Sequence, residues 1–194
     1  AAPVPVIGMI EPTARAALAA TRSNHSGVMA TAGTILSKIY ETTLRTYAPD
    51  IRASSVACQM LVALAEEGWT HGEIPRLTLG NYLSEMFCGP DKPDTLILGC
   101  THFPVFTDLL RDILGDSVTL INSGEAASLC LNAALPVRNR GSRHAPQFYA
   151  TDDPARFAAG ASKFFQMPLS HGDITPVSFT HLRAHATVLT LVCR

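Results

Sequence analysis

The sequence has 194 residues, with 15 Lys plus Arg against 16 Asp plus Glu and a net charge of −1. At roughly 150 residues per domain this is one domain, two at most, and the missing basic excess excludes a nucleic-acid binder that works through phosphate contacts. With 47% hydrophobic and 16% charged residues the chain is the reverse of a disordered one and long enough for a proper core.

The opening Ala1-Ala2-Pro3 has no basic or apolar leader, so no signal peptide is expected in this sequence. The longest apolar runs, Thr95 to Gly99 and Val188 to Val192, fall far short of the roughly 20 residues of a membrane span. Val4 to Ile10 is an apolar run closed by Glu11-Pro12 and predicts a buried strand, followed by an Ala-rich helix over Thr13 to Ala20. Val28 to Thr31 predicts a second strand. After Gly33-Thr34 a helix is expected with Ile35, Ile39, Leu44 and Tyr47 on one face. Ile51 to Val56 predicts a strand, and Met60 to Glu67 a helix stopped by Gly68. Thr78 to Phe87 predicts another helix, and Asp91-Lys92-Pro93-Asp94 a turn.

The clearest strand is Thr95 to Leu98, closed by Gly99-Cys100-Thr101-His102. Pro104 marks the first turn of the next helix, which carries Val105, Phe106, Leu109, Leu110, Ile113 and Leu114 and stops at Gly115. Val118 to Ile121 predicts a strand, Asn122 to Glu125 a lead-in, and Ala126 to Leu135 a helix. Pro136 to Pro146, with Arg138, Arg140 and Arg143, reads as an exposed connection. This alternation of near-continuous apolar strands with helices predicts an α/β fold with parallel sheets flanked by helices.

Ligands of open α/β sheets bind beyond the carboxyl ends of the strands. Cys100 sits there, ahead of a helix and two residues from His102. A helix dipole and a histidine both raise the thiolate fraction of such a thiol, which can then act as nucleophile or general base. Free cysteine is also a common core residue. No second Cys/His pair at ligand spacing accompanies the C-x-H triplet, so no metal is expected. The five cysteines, Cys58, Cys88, Cys100, Cys130 and Cys193, are irregularly spaced without a CxxC, which predicts reduced thiols. Ala30-Thr31-Ala32-Gly33-Thr34 and Asn122-Ser123-Gly124-Glu125 read either as carboxylate-binding strand ends or as plain helix caps. Glu66, beside Glu67, reads as a surface helix residue.

Five segments occur in an order and spacing that resemble the glutamate racemase family, within the wider aspartate/glutamate racemase superfamily. They are Val4-Pro5-Val6-Ile7-Gly8-Met9-Ile10-Glu11-Pro12, Ala30 to Ile35, Leu96 to Pro104, Ser123-Gly124-Glu125-Ala126 and Phe148 to Phe157. The resemblance covers residues 3 to about 169. It implies interconversion of L- and D-glutamate without a cofactor, by two cysteines facing each other across a cleft between two similar lobes. It further implies that Cys100 is the second cysteine, that His102 assists its proton transfer, and that Glu66 is the acidic residue near it. By the same resemblance Thr101, Thr31 and Thr34 hold the substrate. Glutamate is then the small-molecule partner, with no nucleic acid or membrane, a homodimer is compatible, and D-glutamate feeds peptidoglycan synthesis in a bacterial cytoplasm.

The departures are as informative. The family's Asp-Ser-Gly-type loop and its Cys-Asn-Thr-type segment, which bears the first cysteine, do not occur here. Cys58 falls at a different place, ahead of a mid-lobe helix; Gln59 stands for an expected Pro and Asn122 for an expected Asp. Residues 1–12 are thus expected to be a remnant of the first lobe, 13–136 the second lobe, and 137–169 the return segment of the first. Residues 170–194 match nothing in the family, and Phe179 to His185 resembles translated non-coding sequence, so this tail is expected to be non-native. The alternatives are an aspartate or hydantoin-type racemase, a non-catalytic α/β binding module, and a cysteine hydrolase, for which the sequence shows no base or orienting group around Cys100.

Overall fold

Four of the expected strands assemble into one sheet: β1 (His25–Ala30), β2 (Arg52–Ala57), β3 (Thr95–Leu98) and β4 (Thr119–Asn122). The computed structural model describes residues 6–134, 145–165 and 167–177. Every neighbouring pair is parallel, in the order β2-β1-β3-β4. The central strands β1 and β3 are buried along their whole length, which their apolar runs require, while the edge strands are only partly covered.

Parallel neighbours need crossovers, and helices supply them. α1 (Ile10–Ala20) precedes β1. α2 (Ala32–Leu36) and α3 (Ile39–Tyr47) lead to β2, and α4 (Gln59–Glu67) and α5 (Glu73–Leu83) lead to β3. A 3-10 turn, Phe103–Phe106, and α6 (Thr107–Leu114) lead to β4, and α7 (Ser123–Ala134) follows it. Alternating strand residues face opposite layers. Met29, Leu96 and Leu98 pack with Leu61, Leu79, Phe103, Phe106 and Leu110 on one side. Val28, Ala30 and Ile97 pack with Ala14, Ala17, Tyr40 and Leu44 on the other.

The chain divides into two compact units, residues 1–137 and 138–194. In the second, β5 (Phe148–Ala150) pairs in parallel with β6 (Ile174–Pro176), and α8 (Pro154–Phe165) lies between them in sequence. Ala150, Ala158 and Ile174 form its small core. Ser170 and Asp173 make a reciprocal capping box just before β6. Residues 178–194, with His181 and His185, lie outside the described residues, as does most of the basic connection.

Several boundaries differ from expectation. Val6 to Met9 form no strand, and residues 4 and 5 lie outside the described residues. Ile10 instead opens α1, where the Met9 carbonyl accepts both the Thr13 hydroxyl at 2.6 Å and its N–H at 3.3 Å. Pro12, read as a stop, occupies the first helical turn, where its missing N–H costs nothing. The helix expected after Thr34 is two helices, because Lys38 takes a left-handed φ of 52°. That one residue resets the phase: Tyr40 and Leu44 are buried, whereas Ile39 and Tyr47 are exposed. α5 begins five residues ahead of the expected Thr78, with Gly72 at φ 90° before it and Pro75 in its first turn. α7 begins at Ser123 rather than Ala126, because the Asn122 side-chain oxygen accepts from the Gly124 N–H at 2.9 Å and the Glu125 N–H at 3.4 Å.

Candidate active site

The strand order places a topological switch point between β1 and β3. The chain leaves β1 for β2 on one side, then returns to add β3 on the other, so the crossovers diverge and leave a crevice beyond the carboxyl ends of these two strands. Met29 is in register with Leu98, and the Gly99 N–H continues the ladder to the Met29 carbonyl at 2.8 Å. Thr31 and Cys100 therefore emerge side by side, each two residues past the last paired position.

Cys100 is half-buried at this mouth. Its Sγ lies 3.8 Å from His102 Nδ1, and His102 Nε2 lies 3.7 Å from Glu66 Oε1. Three elements build this line: the turn after β3 carries the thiol and the imidazole, and the last turn of α4 carries the carboxylate. The His102 side chain is 13% exposed and that of Glu66 43%. An imidazole held between a carboxylate and a thiol can take the thiol proton and stay oriented as it does so. His102 and Glu66, which the resemblance set near Cys100, stand next to it in that order. Thr101, between the two, is exposed. The helix expected immediately after this triplet is the 3-10 turn Phe103–Phe106, and α6 starts only at Thr107, so the helix dipole expected to act on the thiol stands farther off.

At the neighbouring strand end, Thr31 has extended backbone and its hydroxyl makes no cap bond to α2. It meets the Thr34 hydroxyl at 3.1 Å instead, and the Ala32 N–H approaches Gln59 Oε1 at 3.5 Å. Two hydroxyls thus sit together at the carboxyl end of β1, the strand next to the one that carries Cys100. Asn122 to Glu125 resolves as a cap, since the Asn122 oxygen occupies those N–H groups.

Cys58 ends β2 and is fully buried. Burial, with the charge of nearby Cys100 adding to it, pushes its thiol up to about 12, so it stays neutral near pH 7. Sequence reasoning passed over Tyr40, which is buried under the β3 end. Burial raises its phenol above the ordinary range, hydrogen bonds to Ser123 and Thr13 pull the other way, and the Cys100 charge raises it further. Cys58, Cys88, Cys100 and Cys130 form no disulfide. Among the described residues no group of three or more His, Cys, Asp or Glu is arranged to hold a metal ion, and no helix is long and apolar enough to cross a membrane.

Residues 1–129 match the model of Asp/Glu/hydantoin racemases. The chain belongs to this racemase family. It is 36% identical over 182 residues to glutamate racemase of Geobacter metallireducens, covering 90% of this chain and 65% of that protein. It is 39% identical over 166 residues to that of Syntrophus aciditrophicus, covering 84% and 61%. Among solved structures it resembles a glutamate racemase isoform of Bacillus anthracis, with a TM-score of 0.81 and 29% identity over 92% of this chain and 66% of the other. It also resembles the Francisella tularensis glutamate racemase in complex with D-glutamate, with a TM-score of 0.78 and 31% identity over 91% of this chain and 65% of the other. The chain therefore spans just under two thirds of the length of these racemases.

Proposed function

We propose that this chain is the larger part of a cofactor-independent glutamate racemase in which Cys100 is one of two acid/base thiols. The Cys100 thiolate takes the α-proton from one face of glutamate, and the electron pair left on the α-carbon spreads into the carboxylate. A thiol on the opposite side then gives its proton to the other face, so that each turnover leaves the two sulfurs with exchanged protonation states. His102, steadied by Glu66, accepts and returns the Cys100 proton between turnovers. Thr31, Thr34 and Thr101 donate hydrogen bonds to the substrate carboxylate, where negative charge grows in the transition state. The product serves peptidoglycan synthesis in a bacterial cytoplasm.

The line from Cys100 through His102 to Glu66, at the switch point of a racemase-family fold, is the observation that carries this reading. The glutamate racemases reported above favour glutamate over aspartate or hydantoin substrates. Cys58 does not suit the second role, being fully buried and neutral. The opposite thiol is assigned to a segment that this sequence does not contain, and the 194-residue chain alone is expected to be inactive.

Incubation with L- or D-glutamate in deuterated water, followed by α-proton loss and optical rotation, tests both statements. The chain alone is expected to leave optical rotation unchanged, because one thiol cannot serve both faces. Racemisation at an ordinary enzymatic rate would contradict the two-thiol account. In a protein completed with the segment bearing the second cysteine, Cys100→Ala is expected to abolish turnover; retained turnover would remove Cys100 from the mechanism.

A further inference from the structure

The Cys100 turn rests on a buried polar assembly that none of the assigned roles uses. Ser123, at the start of α7, donates its hydroxyl to the Leu98 carbonyl at 2.6 Å. A serine hydroxyl has one proton, so Ser123 Oγ, 3.4 Å from the Tyr40 hydroxyl, can only accept from it, as can Thr13, whose own proton goes to the Met9 carbonyl. Tyr40 is 4% exposed and Ser123 8%. The Gly99 backbone packs against the edge of the Tyr40 ring. A Cβ on residue 99 would come within 2.9 Å of Tyr40 Cε2, and within 3.1 Å of both the Ala30 Cβ and the Met29 carbonyl oxygen. Two of those neighbours are the β1 backbone and a ring inside the core, so neither yields easily.

We propose that Tyr40 and Ser123 are positioning residues for Cys100. The phenol ring fills the space beneath Gly99, Ser123 ties down the Leu98 carbonyl, and together they fix the direction in which the chain turns out of β3. That direction sets the thiol against His102. The side-chain-free Gly99 lets the ring come this close.

The purpose of this device rests on the racemase reading of Cys100, but its test does not use glutamate. The full 194-residue chain is treated with iodoacetamide, and each cysteine is quantified by peptide mass spectrometry. Exposed Cys88 serves as the internal reference, and buried Cys58 reports any general opening. In Ser123→Ala and in Tyr40→Phe, the rate at Cys100 relative to Cys88 is expected to fall about threefold to tenfold, the effect of one lost hydrogen bond. Cys58 is expected to stay unlabelled in both. Gly99→Ala is expected to lower the ratio further, and Tyr40→Leu added to it to restore part of the loss, since the ring atom in the way is removed. A Cys100 to Cys88 ratio that is unchanged or raised in Ser123→Ala and Tyr40→Phe overturns the proposal. So does a change that appears only together with labelling of Cys58, which marks a merely structural role. A failed racemisation assay would leave this result standing, and an unchanged ratio would leave the racemase reading standing.

Discussion

The amino and carboxyl ends of the four-stranded sheet hold their polar groups in different ways. At the amino end the contacts are short and mutual. His25 joins the Asp91 carbonyl and the Ser54 hydroxyl, both at 2.8 Å. Thr95 donates to Ser26 at 2.7 Å. Asp94 accepts from the Thr21 hydroxyl at 2.6 Å and from the Arg22 and Ser23 N–H groups at 2.7 Å. At the carboxyl end the contacts along the reactive line are 3.7 and 3.8 Å and reach the surface at Glu66. The first pattern holds the strands together. The second joins a thiol, an imidazole and a carboxylate by longer contacts, and catalytic hydrogen bonds are commonly long before a ligand binds. Among the described residues no buried side-chain N or O lacks a partner.

The largest change should come from breaking the amino end. His25→Leu leaves the Asp91 carbonyl and the Ser54 hydroxyl without their partner and is expected to cost about 2 to 3 kcal/mol. The shift of the urea midpoint measures it, and Cys100 reactivity in the folded protein should not change. Asp94→Asn should cost about 1 kcal/mol near neutral pH, with a distinctive pH dependence. Burial favours the neutral acid, but the combined hydrogen bonds from Thr21, Arg22 and Ser23 outweigh it and hold the carboxyl below its ordinary 3.8. The ionised form is therefore the stabilising one. Its contribution is present above pH 3.8 and fades as pH falls through the lower folded-state value, so wild type and variant should converge under acid. Parallel urea curves from pH 7 to pH 3 that keep a constant gap would contradict this.

The smallest change belongs to the carboxyl end. Glu66→Gln should leave the urea midpoint essentially unmoved, since a part-exposed polar contact of 3.7 Å contributes little to stability. It should slow iodoacetamide labelling of Cys100 about twofold to threefold, by loosening the orientation of His102. A stability loss comparable to that of His25→Leu would assign Glu66 to the scaffold.

How much of this was legible in the sequence follows from what each part depends on. Thr95 to Leu98 and the Cys100 turn were read in place, because a short apolar run closed by glycine can be little else. The Cys100–His102 proximity follows from spacing of two in a turn. The Glu66 contact does not, because it depends on where α4 crosses the sheet. The order β2-β1-β3-β4, and with it the emergence of Thr31 and Cys100 from neighbouring strands, is a property of packing that no local pattern encodes. Pro12 and Pro75 were the readable signals that were missed, since a proline in a first turn starts a helix as readily as it ends one. Lys38 offered none: a left-handed lysine has no composition cue, and Tyr40 was hidden by the phase shift it causes.

The most direct test of the account compares the two thiols at the carboxyl end. Wild-type chain is exposed to iodoacetamide from pH 7 to pH 12, and each cysteine is mapped by mass spectrometry. The account predicts that Cys100 is labelled near pH 7 and 8 while Cys58, buried and pushed up to about 12, is labelled only toward the alkaline limit. Labelling of Cys58 as fast as Cys100 near neutral pH would contradict the assignment of Cys100 as the reactive thiol of the sheet.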